Sequence, residues 1–223
     1  MSAWPAIWLT LQLAAVTTAI LMVISLPLAW WLATTKAKTR PFFEAVTTLP
    51  LVLPPTVLGF YLLVIMRPDA PLGGFFLRAT GETLAFSFTG LVIASVIYSL
   101  PFAVQPMQTA FRAVPQTTLD AARMLGAGPR DAFFSVSLPM ASRGAVTAAV
   151  LSFAHTVGEF GVVLMVGGNI PGKTRVISIE IFSAVETLDY RTAHILSAWL
   201  LILSLVVLTL VYVFNRRGGS RFG

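Results

Sequence analysis

The stretch Ser2–Thr35, SAWPAIWLTLQLAAVTTAILMVISLPLAWWLATT, contains no charged side chain. A helix needs about 20 consecutive apolar residues to cross the hydrocarbon core of a bilayer, so this stretch is long enough to span it. It lacks the basic start and short apolar core of a cleavable signal peptide. We therefore expect it to remain in the protein as a first transmembrane helix.

Similar apolar runs recur along the rest of the chain. Residues 45–66, 83–111 and 192–215 are uncharged, and residues 144–172 are interrupted only by Glu159. The pattern predicts an all-α integral membrane protein with about five transmembrane helices. All 223 residues are assigned to one transmembrane domain, 1–223. The predicted helices lie at about 5–34, 43–66, 83–111, 138–166 and 192–215.

The composition excludes several classes of protein. Hydrophobic residues make up 57% of the chain and charged residues only 11%, whereas a soluble domain carries about 25% charged residues. The absence of cysteine excludes disulfides, thiolate metal sites and a cysteine nucleophile. The net charge of +6 comes from residues between the apolar runs, so it indicates membrane orientation and no nucleic-acid partner.

The basic residues of the connections predict the orientation of the chain. The first and third connections and the tail together hold ten Lys and Arg residues, and the second and fourth hold five. Basic residues favour the cytoplasmic side, so the N-terminus is predicted outside and the C-terminus in the cytoplasm. The ten are Lys36, Lys38, Arg40, Arg112, Arg123, Arg130, Arg143, Arg216, Arg217 and Arg221.

The third connection contains the segment 115–129, PQTTLDAARMLGAGP. Thr117 or Thr118 can cap a helix, and glycines at 126 and 128 can end it before a second helix starts at Pro129. Leu119, Ala122 and Leu125 recur at helical spacing, so a short amphipathic cytoplasmic helix is predicted at about 117–127. Such a helix can lie on lipid headgroups, pack on its own bundle, or dock to a partner protein.

Glu159 is the only acid within a predicted spanning run, and His155 precedes it by one turn. Acids inside membranes face the bundle interior and are candidates for function. Three interpretations are open: a hydrogen bond that braces the helix, a proton relay, or contact with substrate by a protonated or paired carboxyl. We expect no metal site.

Prolines and small polar residues mark a possible translocation path or gate. The prolines cluster in LPLVLPPT at 49–56 more densely than helix packing requires. Small hydroxyl side chains can line a path, or can equally form hydrogen bonds between helices. In the fourth connection, Lys173 and Arg175 can steer an anion, meet an acidic partner, or remain solvated. An amphipathic helix is predicted after Thr174. The candidates for the path are Pro54, Pro55, Thr56, Ser152, Thr156 and Glu159, and those of the outer loop are Asn169, Lys173 and Arg175.

Two sets of motifs carry a family resemblance. Asp-Ala-Ala at 120–122, Gly126 and Val-Ser-Leu-Pro at 136–139 resemble the signature loop of ABC-importer permeases. That loop reads Glu-Ala-Ala, three residues, Gly, nine residues and Ile-x-Leu-Pro, so this sequence departs from it conservatively at two positions. The stretches GEFG at 158–161, GGNIPGKT at 167–174 and LPLVLPPTVLG at 49–59 look like permeases for molybdate and tungstate. Sulfate permeases share the GEFG part.

The resemblance implies a type I ABC importer permease in a bacterial inner membrane. It implies a homodimer, a cytoplasmic ABC ATPase dimer, and a periplasmic or lipoprotein oxyanion-binding protein as partners, with membrane lipid around the bundle. ATP and Mg are expected in the ATPase, because this sequence has no glycine-rich phosphate loop with Lys and Ser or Thr. The chain is thus expected to be a non-catalytic transport subunit. The residues implied in coupling to the ATPase are Asp120, Ala121, Ala122, Leu125, Gly126, Leu138 and Pro139.

Other functions are less consistent with the sequence. A permease for sulfate or another oxyanion is the nearest alternative. A proton-coupled secondary transporter normally has internal repeats and more intramembrane charge. A membrane enzyme needs a convergent set of catalytic residues, and the sequence contains no such motif.

Overall fold

The computed structural model describes residues 4–216, with side chains for residues 4–213. Helices joined by short connections make up this range, and no β-strand occurs in it, which confirms the predicted all-α class. Arg217 and Arg221, used above for the orientation, lie outside the described residues. The helices are α1 Trp4–Thr34, α2 Arg40–Val52, α3 Pro55–Ile65, α4 Pro71–Thr80, α5 Phe88–Arg112, α6 Gln116–Met124, α7 Pro129–Ala132, α8 Leu138–Met140, α9 Ser142–Gly158, α10 Gly161–Gly167, α11 Ile177–Glu186 and α12 Tyr190–Arg216, with a π-helical turn at Phe133–Ser137 between α7 and α8.

Helices α1, α5 and α9 form the central bundle, in which each packs against the other two. Their shared interior is apolar and fully buried around Leu32 of α1, Val104 and Met107 of α5, and Ala148 of α9. Small residues such as Ala148 let membrane helices approach closely, which replaces the hydrophobic driving force that lipid does not supply.

Helices α3 and α10 form a second layer on α5. Leu62 of α3 and Met66, which directly follows α3, share a buried cluster with Val162 and Val166 of α10. The two helices approach closely at Gly59: a Cβ atom built on this residue would lie 2.7 Å from the Cβ atom of Met165. Only glycine fits at this contact without a shift of its neighbour.

Three helices, α1, α5 and α12, are individually long and apolar enough to cross a membrane. Two bent pairs also meet the test when each is taken as one span, α2 with α3 and residues 129–140 with α9, which gives up to five spans. The predicted number of about five agrees with this upper value.

The second predicted span, 43–66, is not one continuous helix. It breaks at Leu53 and Pro54, and the axes of α2 and α3 differ by 109°. Two consecutive prolines remove two backbone donors, and the residue before a proline is disfavoured in helical conformation. Leu53 accordingly has an extended backbone, with ψ of 136°.

Two other predicted bounds also differ from the structure. The predicted helix 138–166 bends by 70° near Ala141 and breaks again at Glu159 and Phe160, between two glycines of low helix propensity. The helix predicted at 83–111 begins in the structure at Phe88, five residues later than predicted. The reason is that the Ser87 hydroxyl caps α5 by accepting a hydrogen bond from the Gly90 amide at 3.1 Å.

Helix α4 is absent from the sequence prediction. Its first turn contains Gly73 and Gly74, which are typical of a loop when only local sequence is considered. Both glycines are buried against backbone carbonyls of the preceding turn, from Met66 to Pro68. A close approach of the backbone thus explains these glycines, and that approach exists only in the folded chain.

Polar contacts of Glu44 hold helix α2 at the side of the bundle. Glu44 of α2 accepts hydrogen bonds from Arg40 at 3.1 Å, from Gln108 of α5 at 2.7 Å and from Arg112 at 2.5 Å. Charge-assisted bonds of this kind hold the otherwise exposed α2 against α5.

Helix α11 confirms the amphipathic helix predicted after Thr174. The amide of Ile177 donates to the Thr10 hydroxyl of α1 at 2.8 Å, and the neighbouring Ile179 is fully buried. A buried backbone donor at the start of a helix needs such a partner. Helix α11 therefore packs on α1 along its apolar face.

Candidate functional site

Residues 116–132, which we call the α6 segment, differ from the predicted amphipathic helix at both ends. Helix α6 begins directly after Pro115 without a side-chain cap, so neither Thr117 nor Thr118 has the predicted capping role. Asp120 instead accepts hydrogen bonds from Gln116 at 3.0 Å and from Arg123 at 2.9 Å. These contacts stabilise the exposed face of a very short helix.

A glycine ends α6 in the manner that the sequence predicts. Gly126 has a φ of +92°, which ordinary residues rarely adopt. The amide of Gly126 donates to the Arg123 carbonyl at 2.9 Å, and the amide of Ala127 donates to the Ala122 carbonyl at 3.0 Å. This pair of bonds is a Schellman motif, and it sets the direction in which the chain leaves the helix.

Two large apolar side chains project from the end of α6, and we call them the apolar tip. Met124 is 89% exposed and Leu125 is 90% exposed. Leu119 is buried, whereas Leu125 does not lie on the same helical face, because α6 ends at Met124, one residue before Leu125. Ala121 is exposed next to the tip, and Ala122 is half-buried.

The α6 segment is connected to the membrane-spanning core by a compact stretch. Helix α6 contacts the π-helical turn that follows α7, and α7 begins at Pro129 as predicted. Leu138 packs against the central bundle, whereas Pro139 is exposed just before the 70° bend into α9. The α6 segment is therefore connected to α9 through packed residues.

A cavity of about 530 Å³ lies where α3, α5, α9 and α10 meet. We call it the junction cavity. It brings together the proline cluster and the GEFG stretch, which are about 100 residues apart in sequence. Its volume is ample for several water molecules or a small hydrated ion. The lining residues are Pro55, Thr56, Tyr98, Ala154, His155, Gly158, Glu159, Phe160 and Gly161.

Glu159 lines the junction cavity at the break between α9 and α10. Its side chain is buried at 4% exposure, and neither carboxyl oxygen has a hydrogen-bond partner among the described residues. The bracing interaction expected of the carboxyl is thus made by the backbone: the Glu159 carbonyl accepts from the Ser178 hydroxyl at 2.5 Å. The helix ends at Gly158 and Glu159 is extended, with ψ of 133°, which separates its side chain from the helical face of His155.

A hydrogen-bonded chain behind the cavity was not foreseen from the sequence. The Nδ1 atom of His155 lies 2.9 Å from the Ser99 hydroxyl, which lies 3.1 Å from the Thr156 hydroxyl. Thr156 in turn donates to the Ser152 carbonyl at 2.9 Å, and the His155 ring stacks on Phe102 with centroids 3.9 Å apart. No local pattern joins residues that are 56 positions apart.

The predicted path residues Ser152 and Thr156 are buried between α5 and α9. Thr156 forms a hydrogen bond across these helices, which matches the structural alternative given for it. Of the other candidates, Pro55 and Thr56 share the junction cavity with Glu159, and Pro54 caps the start of α3. The path itself stays a prediction.

The outer-loop candidates have different surroundings. Arg175 forms an ion pair with Glu180 at 3.3 Å and is about one quarter exposed, so its charge is already partnered. Asn169 donates to the Ser183 hydroxyl at 2.8 Å. Lys173 is exposed and remains the candidate for attracting an anion.

Comparison with known sequences finds relatives that are transport system permeases. The chain is 54% identical over 95% of its length to the molybdenum transport system permease protein ModB of Azotobacter vinelandii, of which it covers 93%. It is 34% identical to ModB of Escherichia coli K12, covering 82% of this chain and 80% of that protein. It is also 33% identical to a probable sulfate transport system permease, cysT, of Zygnema circumcarinatum, covering 97% of this chain and 74% of that protein.

Solved structures share the fold at low sequence identity. A bacterial ABC transporter that imports alginate matches with a TM-score of 0.78 at 16% identity, over 98% of this chain and 81% of that one. An alginate ABC transporter in complex with its alginate-loaded periplasmic protein matches with a TM-score of 0.74 at 16% identity, over 96% of this chain and 78% of that one. The inward-facing methionine transporter MetNI matches with 0.75 at 21% identity, over 97% and 99%. The family model described as "Binding-protein-dependent transport system inner membrane component" matches residues 25–219. The chain is therefore a multi-pass membrane protein that belongs to the family of binding-protein-dependent transport system inner membrane components.

Proposed function

We propose that this chain is the permease subunit of an ABC importer that brings molybdate or tungstate into the cytoplasm. The observation that carries the proposal is the 54% identity to a molybdenum permease over 95% of the chain. The junction cavity supports it, since two of the three sequence stretches that resemble molybdate permeases line this cavity together. The chain itself performs no chemical step in this proposal.

The proposed energy source is ATP with Mg, hydrolysed by a cytoplasmic ATPase dimer. The apolar tip supports such a partner, because two adjacent large apolar side chains about 90% exposed are unfavourable in water and suit a contact with another protein. The basic residues of this connection favour the cytoplasmic side for it. The α6 segment is then the coupling element, and its motion is passed to α9 through Leu138 and the bend near Pro139.

The remaining partners follow from the same proposal. Two copies of the chain form the transport unit in a bacterial inner membrane, and a periplasmic or lipoprotein oxyanion-binding protein delivers the substrate at the opposite side. The alginate transporter with its bound periplasmic protein supports this arrangement by likeness of fold. Rocking of the bundles against each other would expose the path alternately to the two sides.

Sulfate is the second candidate substrate. The 33% identity to a probable sulfate permease supports it, and both anions are tetrahedral and doubly charged. The higher identity to the molybdenum permease favours molybdate.

Uptake of labelled molybdate by cells with and without this gene tests the substrate. We expect uptake that depends on the gene, falls with excess unlabelled tungstate and resists excess sulfate. Molybdate uptake that does not depend on the gene, or that sulfate suppresses as strongly as tungstate, would contradict the molybdate proposal. Gene-dependent sulfate uptake would then identify the alternative.

Gly126→Ala is expected to reduce coupled transport several-fold. Among the described residues, apart from the chain neighbours, no atom lies within 4 Å of the position that a Cβ atom would occupy, so the cost comes from the φ of +92° and not from bulk. An L-residue in the left-handed region costs roughly 1–2 kcal/mol, which shifts the exit of the chain from α6. The measurement is ATP hydrolysis by the purified complex, with and without the loaded binding protein.

Gly128→Ala is the matched control for this variant. Gly128 has an ordinary φ of −71° and equally open surroundings, so its rates should equal those of the wild type. Equal rates for Gly126→Ala and the wild type would remove the coupling role from this turn.

A further inference from the structure

Two arginines meet at a single carboxylate oxygen where α2 and α5 come together, and we call these side chains the Arg40–Arg112 cluster. The Nε atom of Arg40 lies 3.1 Å from Oε1 of Glu44, and an Nη atom of Arg112 lies 2.5 Å from the same oxygen. Gln108 of α5 also donates to this oxygen, at 2.7 Å. Two guanidinium groups and one carboxylate leave a net positive charge. The cluster is therefore able to attract a further anion.

Most donor atoms of the two arginines remain available. A guanidinium group has three nitrogen atoms, and the described part of the chain accepts a hydrogen bond from only one nitrogen of each arginine. The side chain of Arg112 is 46% exposed and that of Arg40 is 31% exposed. The buried and unpartnered atoms of the described residues include no nitrogen of Arg40, so its free Nη groups are accessible. Forked N–H donors of this kind match the oxygen atoms of a phosphate.

The cluster lies at the end of a membrane span, on the side that the basic residues favour as cytoplasmic. Arg112 is the last residue of α5, which is long and apolar enough to cross the membrane by itself, and Arg40 is the first residue of α2. The ring of Trp31, near the end of α1, lies edge-on to Phe43 of α2 with centroids 5.1 Å apart. Trp side chains are enriched at the level of lipid headgroups. The two arginines therefore lie near the phosphates of that leaflet.

The connection between α1 and α2 adds positive charge beside the cluster. Lys36 and Lys38 are exposed and lie within four residues of Arg40. The backbone offers little to a ligand here, because the amide of Arg40 already donates to the Ala37 carbonyl at 3.1 Å and Pro41 has no N–H. The amides of the two residues after Pro41 also donate within this turn. An anion bound at this position is thus held by the basic side chains.

We propose that the Arg40–Arg112 cluster binds the phosphate of an anionic lipid headgroup in the cytoplasmic leaflet. The phosphate accepts hydrogen bonds from the free guanidinium nitrogens, and the acyl chains remain in the bilayer. Glu44 is a positioning residue, since it holds the two guanidinium groups together. Basic residues next to membrane spans attract anionic lipids. The bound lipid stabilises the contact of α2 with α5 just before the α6 segment, because Arg112 precedes Pro115 by three residues. This inference does not depend on which substrate is transported.

Binding of phosphatidylglycerol to the purified full-length permease in detergent tests the site. The wild type should bind it more tightly than phosphatidylcholine with the same acyl chains, whose headgroup has no net charge. Arg40→Gln and Arg112→Gln should each weaken binding of phosphatidylglycerol roughly tenfold, as expected for a lost charge-assisted hydrogen bond. The double variant should bind both lipids equally. Arg130→Gln is the matched control, because Arg130 is an exposed arginine of the same connection as Arg112, and its lipid binding should equal that of the wild type.

Glu44→Gln separates lipid binding from a purely structural ion pair. It removes the carboxylate but keeps an acceptor oxygen for both arginines, so phosphatidylglycerol should bind at least as tightly as to the wild type. A purely structural cluster would instead give a lower unfolding midpoint in all three single variants, with the preference for phosphatidylglycerol unchanged. An unchanged preference in the arginine variants, or a parallel loss of binding in Glu44→Gln, would overturn the proposal. Arg112→Gln keeps the test decisive should the double variant not fold, because Arg112 is nearly half exposed.

Glycerol phosphate distinguishes a lipid from a soluble anion as the ligand. It carries the same phosphate without acyl chains, so at equal concentration it should not displace phosphatidylglycerol from the permease. Displacement by glycerol phosphate, together with equal binding of the two lipids by the wild type, would assign the cluster to a soluble anion and overturn the lipid site.

Discussion

Leu125→Glu is expected to abolish binding-protein-stimulated ATP hydrolysis and molybdate uptake while the permease still folds. Leu125 is 90% exposed in the isolated chain, so a carboxylate there meets water and does not disturb the bundle. In the proposed complex the same position is covered by the ATPase, where an unpaired charge is costly. Disruption of a buried apolar anchor typically costs 2 kcal/mol or more, so binding of the ATPase should weaken by at least roughly thirtyfold.

The measurement is retention of the ATPase subunit on purified, tagged permease, followed by ATP hydrolysis in the reconstituted complex. Leu125→Met is the matched control: it preserves an apolar side chain of similar size and should retain the ATPase as the wild type does. Full retention of the ATPase by Leu125→Glu would show that the apolar tip is not covered by it. One of the two alternatives for the α6 segment, a position at the lipid headgroups, would then be favoured.

Gly161→Ala is expected to lower both the stability of the permease and its transport activity. A Cβ atom on Gly161 would lie 2.7 Å from the Cβ atom of Pro55, so α10 and α3 must separate by several tenths of an ångström or more. Overpacking of this kind typically costs 1–3 kcal/mol. For a chain of this size, each kcal/mol lowers the unfolding midpoint by roughly 2–4 °C. The same separation alters the junction cavity, which both residues line.

Gly158→Ala provides the comparison within the same stretch. Outside its own helix and chain neighbours, no atom of the described part of the chain lies within 4 Å of its added Cβ atom, and Gly158 is the last residue of α9. Its unfolding midpoint in detergent should equal or exceed that of the wild type, since alanine favours the helix. Equal midpoints for Gly161→Ala and the wild type would mean that α3 and α10 are not held together at this contact.

The positions of the spans were predictable because lipid imposes a simple rule. Every backbone polar group in the hydrocarbon core must be paired within the protein, so a long uncharged run such as 4–34 has to be helical. The end of α6 was predictable for a similarly local reason, since Gly126 is the residue that tolerates a positive φ. Such local rules do not apply to Gly73 and Gly74, whose close contacts involve the turn before them.

The sequence alone determined the class of the protein: its hydropathy dictates helices in a membrane, and its motifs resemble those of importer permeases. The tertiary structure decided what each candidate residue does. It paired Arg175 with Glu180, placed Thr156 in a hydrogen-bonded chain with Ser99, and left the carboxyl of Glu159 unpartnered beside the start of α3. The reason is physical: hydropathy and turn conformation are properties of neighbouring residues, whereas the partner of a polar side chain is set by packing between helices far apart in the chain.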